Sequence, residues 1–182
     1  MITVETILKA SEEQIKKYLE LNKNCAKRFV DEKSFSPLPS FARIITGVRR
    51  CGKSTVVQMN FLKKSAFYLN FEDTSLYGFD TKDFEILNEA IEKFSKENSC
   101  KYLCFDEIQS VNGWEIFVHR KLEENYLVIV TGSNASLLSW ELGTRLTGRH
   151  LDYEMFPFSF QEFCVLKKLK VNTNSFSKYL TQ

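Results

Sequence analysis

Gly47-Val48-Arg49-Arg50-Cys51-Gly52-Lys53-Ser54 follows directly on the largely apolar run Ala42-Arg43-Ile44-Ile45-Thr46, and the reading of this junction decides the fold. The spacing is G-x-x-x-x-G-K-(Ser/Thr), in which successive backbone N–H groups surround a phosphate at a helix N-terminus. Gly47 and Gly52 let the backbone wrap, with Val48, Arg49, Arg50 and Cys51 between them. Lys53 reaches the outer phosphates, Ser54 offers its hydroxyl to magnesium, and Thr55 supports the first turn. A chance match in a chain of this length is on the order of one in a hundred, and the motif sits between a strand and a helix, as the mechanism requires.

Working outward, residues 65–71 (SAFYLNF) are aromatic-rich and strand-like, whereas Phe84, Leu87, Ile91 and Phe94 recur at helical spacing. Residues 101–105 predict a third strand ending at Asp106-Glu107. Trp114, Phe117, Val118 and Leu122 predict the next helix, with Asn112 as its cap. Residues 126–130 read as a fourth strand and 151–155 as a shorter fifth. Strands alternating with helices imply a mainly parallel five-stranded sheet covered on both faces: an α/β, three-layer P-loop architecture. Ahead of it, Ser11 with Gln14 resembles a capping box, so residues 1–38 read as a helical extension closed by Pro37 and Pro39. Ser159 with Glu162 forms a second capping box opening a helix to about Lys170, after which residues 171–182 show no closing element. The expected divisions are 1–38, a core over 39–158, and a C-terminal region over 159–182.

At 182 residues and 43% hydrophobic composition, the chain can bury one sizeable core. Its 25 Lys and Arg nearly match its 23 Asp and Glu, for a net charge of +2, so composition supports no nucleic-acid surface, and no basic–aromatic groove is present. Five cysteines lack paired C-x-x-C spacing and read as free thiols of a reducing compartment; Cys100 and Cys104 have no histidine beside them and read as strand cysteines rather than zinc ligands. The N-terminus lacks a signal-like apolar region and no apolar run reaches ~18 residues, so no membrane partner and a cytoplasmic location are expected.

Tyr102-Leu103-Cys104-Phe105-Asp106-Glu107 sets two carboxylates at a C-terminal strand edge, where ligands bind in open α/β sheets. Asp106 is the expected magnesium holder, through water. Glu107 is the expected group that orients or deprotonates the attacking water. After the fourth strand, Ser133 or Asn134 could bond the lytic water or γ-phosphate, and Asn134 reads equally as the cap of a helix over 135–142. Arg145 and Arg149, four apart, could reach a phosphate on a neighbouring subunit or form a solvated basic face. Arg49 and Arg50 read either as phosphate contacts or as pins to a nearby acid. Cys51, beside Lys53 at a helix N-terminus, is a small tolerated residue or an oxidisable thiol. Glu72 and Asp73 read as exposed loop acids, the alternative being a contact to magnesium-bound water or ribose, and His119 and His150 read as structural.

The segments GVRRCGKST, YLCFDEIQSVNGWE, VTGSNASLLS and LTGRHLDYEMFPFSFQEF together resemble prokaryotic AAA-superfamily ATPases that carry a C-terminal domain of unknown function. The resemblance covers about residues 43–163. It implies an AAA-type ATPase core with Lys53 and Ser54 in Walker A, Asp106 and Glu107 in Walker B, Ser133 or Asn134 near sensor 1, and Arg149 as a trans-acting residue in a homo-oligomer. Family members continue through a helical lid and a further domain, so residues 159–182 are expected to be the start of a truncated lid. The expected function is Mg²⁺-dependent ATP binding and hydrolysis coupled to conformational change on a macromolecular partner. The alternatives are an ATP-binding switch or scaffold with little hydrolysis, and a P-loop kinase, for which no acceptor pocket or lid arginine set is evident. No Asn-Lys-x-Asp guanine motif occurs, and adenine preference itself rests on the resemblance.

Overall fold

The computed structural model of the chain describes residues 2–21, 28–31, 35–62, 65–132 and 148–181. The elements run α1 (Val4–Leu21), β1 (Ala42–Thr46), α2 (Lys53–Phe61), β2 (Ala66–Asn70), α3 (Phe84–Asn98), β3 (Tyr102–Asp106), α4 (Trp114–Glu123), β4 (Leu127–Thr131), β5 (His150–Glu154), α5 (Phe160–Leu166) and α6 (Thr173–Leu180). Strands lie in the order β2-β3-β4-β1-β5, every pair parallel. All C-terminal strand ends therefore share one edge. The glycine loop follows β1 there, and Asp106 closes β3 two strands away, with β4 between them.

Alternation along the strands sorts side chains into two cores. Ile44, Phe67, Leu69, Leu103, Phe105, Val128 and Val130 face α3, α4 and the inner side of α1. Ile45, Tyr68, Cys104 and Ile129 face α2, with Phe35 and Met155. Strands buried on both faces read as apolar runs, which is why β1, β3 and β4 were legible. Apart from Arg43, whose buried guanidinium donates to the Ser36 and Leu151 carbonyls, the buried polar residues of the central strands are at their C-terminal ends: Thr46, Asp106 and Thr131.

Four local expectations are corrected. Ser11 does not open a helix: α1 starts about two turns earlier, where the Thr6 amide donates to Thr3 Oγ1 at 3.1 Å. Ser11 is buried within α1, and Gln14 instead accepts from the Asn70 amide at 2.8 Å, tying the helix to the end of β2. Asn112 is not the α4 cap; the left-handed Gly113 (φ 78°) is, and the Asn112 carbonyl accepts from Thr81 Oγ1. The helix after Ser159 ends at Leu166 rather than near Lys170, and residues 171–182 do contain an element: α6, capped by Asn172, whose side chain accepts from the Ser175 amide. The Ser159–Glu162 capping box forms as the spacing predicts, with both reciprocal bonds present.

Candidate functional site

The loop is shaped by its two glycines. Gly47 takes φ 144°, and a Cβ there would meet the Met155 carbonyl oxygen at 2.1 Å, so β1 leaves the sheet against the end of β5 with room only for hydrogen. Gly52 caps α2 in a left-handed conformation (φ 96°) and supplies no side-chain bond to the helix. The first amides of α2 thus have no capping side chain, the condition under which a helix N-terminus takes an anion. Lys53 Nζ arches over the loop, donating to the carbonyls of Gly47 (3.0 Å) and Val48 (3.2 Å).

Behind the loop stands Asp106, almost fully buried. Ser54 Oγ donates to its Oδ1 at 3.0 Å and Tyr68 Oη to its Oδ2 at 2.7 Å, while Thr131 Oγ1 donates to Oδ1 as well. Tyr68 is in turn held by Gln58 Nε2 at 3.0 Å. Burial raises the Asp106 pKa above the usual carboxylate value; the Thr131, Tyr68 and Ser54 hydroxyls oppose the shift, and neighbouring Glu107 adds to it. The Tyr68 phenol is pushed well up by burial and by the adjacent Asp106 carboxylate. A buried carboxylate ringed by hydroxyls is an oxygen-only environment. Ser54 Oγ and Asp106 Oδ1 fit a small hard cation that keeps most of its ligands as water and phosphate oxygen. No group of three or more His, Cys, Asp or Glu suited to a metal occurs among the described residues.

Glu107 adopts a left-handed backbone (φ 54°, ψ 35°), a conformation that costs a non-glycine residue energy and recurs at functional sites. Its amide donates to the Thr131 carbonyl at 3.1 Å, anchoring the turn to the end of β4, and its carboxylate accepts from Gln109 Nε2. Arg49 pairs loosely with Glu72 across 3.9 Å, both side chains well exposed. Asp73 caps a 3-10 turn by accepting from the Ser75 amide at 2.9 Å. Cys51 is buried within the loop, and Cys51, Cys100, Cys104 and Cys164 are all free and buried.

Arg149 precedes β5 at the opposite end of the sheet from the loop. Its carbonyl accepts from the Ala42 amide, and its guanidinium lies 3.9 Å from Glu123. A five-residue strand at ~3.3 Å per residue separates it from its own loop by roughly 16 Å, beyond the reach of its side chain. Ser133, Asn134, Arg145 and the helix expected over 135–142 lie outside the described residues, as does Cys25. Sequence reasoning missed Tyr68, Thr131 and Arg28. The first two are strand residues whose hydroxyls look like ordinary surface polarity until β2, β3 and β4 are set side by side. Arg28, in a stretch with no periodicity, carried no signal.

A glycine loop at a helix N-terminus, backed by a buried strand-end aspartate in a parallel sheet, defines a nucleotide-binding P-loop protein of the ATPase type. The chain belongs to the AAA domain family, whose description matches residues 40–164. It is 37% identical over 138 residues to an uncharacterized protein, MJ1544, of Methanocaldococcus jannaschii, covering 74% of this chain and 30% of that one. An uncharacterized protein of Haemophilus influenzae is 37% identical over 139 residues, covering 71% of this chain and 34% of the relative. The chain thus spans about a third of the length of these curated relatives. Among solved structures it is similar to PCH-2 of C. elegans, with a TM-score of 0.47 and 18% identity over 87% of this chain and 45% of that one. No helix among the described residues is long and apolar enough to cross a membrane.

Proposed function

We propose that this chain binds ATP with magnesium at residues 47–54 and hydrolyses its β–γ phosphoanhydride, using the turnover to drive a conformational change on a macromolecular partner. The observation that carries the reading is the 3.0 Å contact between Ser54 Oγ and Asp106 Oδ1, two oxygens brought together from elements 52 residues apart at the mouth of the glycine loop. Loop amides and Lys53 hold the phosphates, and Ser54 and Asp106 hold the cation, Asp106 kept in one orientation by Tyr68 and Thr131. Magnesium, when bound, neutralises charge developing on the phosphoryl oxygens. Glu107, next to Asp106 and turned out of the strand direction, accepts the proton of the attacking water or aligns it. The cleft of about 600 Å³ lined by Arg28, Phe29, Val30, Asp31, Val56, Met59 and Asn60 adjoins α2 and is the candidate seat of the base. Arg149 cannot serve its own loop and is assigned to the phosphate of a neighbouring copy; Asn134 is retained as the candidate polar sensor.

Magnesium-dependent phosphate release from ATP by the wild-type chain and Glu107→Gln, over a range of protein concentrations, tests the reading. Loss of the positioned carboxylate is expected to lower turnover ~100-fold or more. A rate per subunit that rises with concentration, and that Arg149→Ala abolishes, supports a shared site. Turnover unchanged in Glu107→Gln refutes the role given to Glu107. A second reading, a nucleotide-binding switch with little hydrolysis, is favoured by the bond from Gln109 to the Glu107 carboxylate, which occupies the group that would receive water. Tight binding without phosphate release, restored to turnover by Gln109→Ala, would select it.

A further inference from the structure

The most heavily engaged side chain near the loop is one that motif reading does not touch. Arg28 uses its guanidinium on several groups at once: Nε donates to Glu162 Oε1 at 2.8 Å, Nη1 to the Cys51 carbonyl, and Nη2 to the Phe156 carbonyl at 2.8 Å. The group stacks 4.5 Å from the centre of the Phe158 ring, and its side chain is 8% exposed. Glu162 is equally constrained: it also accepts from the amides of Phe29 (2.7 Å) and Ser159 (2.8 Å).

We propose that Arg28 is a positioning residue for the phosphate loop, locking the Cys51–Gly52 peptide so that its amide faces the bound phosphate. The inference rests on the reading of residues 47–54 as a phosphate site. A trans peptide is planar and its C=O and N–H point in opposite directions, so a carbonyl drawn toward Arg28 sends the Gly52 N–H away from it, into the loop. The lock answers a specific weakness. With glycine on its C-terminal side this peptide flips at low cost, and a flipped peptide would turn a carbonyl dipole onto the phosphate. Only a guanidinium can do this together with the rest of its work, because three acceptors in different directions need donors fixed in one plane. The clamp also joins the loop to the connection between β5 and α5, so phosphate occupancy and the position of residues 156–162 are coupled reciprocally.

The test titrates magnesium tripolyphosphate, which has phosphates but no base, and Mg-ATP into the full chain by calorimetry. Wild type is compared with Lys53→Ala, Arg28→Lys, and the charge-neutral pair Arg28→Met with Glu162→Gln, which leaves no buried carboxylate unpaired. Melting without ligand and far-UV dichroism establish that each variant is folded. Both Arg28 variants are expected to weaken tripolyphosphate and ATP by about 10-fold or more, and to raise KM for ATP while kcat stays within about 2-fold. Wild-type binding lost in Lys53→Ala but unchanged in both Arg28 variants overturns the inference alone. Absence of binding by wild type overturns the phosphate-site reading and the inference with it. Weakening of ATP but not of tripolyphosphate assigns Arg28 to the base and also overturns it.

Discussion

Gly47→Ala should be among the most destabilising single substitutions in the loop, and its effect can be worked from two independent sources. The new Cβ would stand 2.1 Å from the Met155 carbonyl oxygen, with the Cys51 sulfur 3.1 Å away. The oxygen cannot retreat freely, because the Met155 amide donates to the Thr46 carbonyl at 2.8 Å and holds the end of β5 against β1. Overpacking against such a backbone costs about 1–3 kcal/mol and loss of the Met155 bond about 1 more. Holding a non-glycine residue at φ 144° adds about 1–3 kcal/mol. The sum, about 3–7 kcal/mol, corresponds to a fall in Tm of about 6–28 °C at ~2–4 °C per kcal/mol for a domain of this size. Gly78→Ala is the control: φ is also positive, at 82°, but nothing lies within 4 Å of its Cβ. Only the conformational term applies there, about 1–2 kcal/mol and ~2–8 °C. Both are read by thermal unfolding without ligand. If the two variants melt within about 3 °C of each other, the close approach to Met155 does not constrain the loop and the reasoning fails.

Lys53→Ala should remove nucleotide protection: at 100 times Kd, ATP stabilises wild type by about 2.7 kcal/mol, roughly 5–10 °C in Tm, and a variant still protected would exclude Lys53 from the phosphates. Tyr68→Phe deletes the donor to Asp106 Oδ2 and the partner of Gln58, and should lower stability by about 1–3 kcal/mol; an unchanged denaturant midpoint would show that the bond is dispensable. Acid should loosen the Arg28–Glu162 pair. Burial alone would raise the Glu162 pKa, but the Arg28 guanidinium and the amides of Ser159 and Phe29 hold it below the usual value. A depressed carboxylate contributes fully above its unfolded value of about 4.3 and loses that contribution as pH falls through the folded one. Urea midpoints against pH should therefore decline more steeply in acid for wild type than for Glu162→Gln, and parallel curves would contradict this.

The parts of the molecule that the sequence made legible are those where one residue type has one reason to be there. Gly47 and Gly52 are dictated by backbone geometry, and the apolar runs at β1, β3 and β4 by burial on both faces. Ser159 and Glu162 form the box their spacing predicts, because Pro157 precedes them and an apolar stretch follows. The same pattern at Ser11 and Gln14 misled, since a helix already under way from Val4 needs no cap at Ser11, and local spacing does not say where a helix has begun. α6 was hidden by the polar run Asn172-Thr173-Asn174-Ser175, whose side chains suggest a loop, while Asn172 caps a helix and the Ser175 hydroxyl donates to that cap. Tyr68, Thr131 and Arg28 act through partners distant in sequence, so their roles exist only once strand order is known.

That strand order has a consequence for how the chain reaches its working form. Because β4 lies between β1 and β3, Ser54 cannot meet Asp106 until the strand carrying Thr131 has been inserted between them, and β5 must then close on β1 across 108 residues of chain, from Arg43 to Leu151. Contacts of such long separation form slowly, after shorter-range structure. The cradle therefore depends on pairings between strands distant in sequence. A ligand that engages it distinguishes completed molecules from partly zipped ones and draws the population toward completion by mass action.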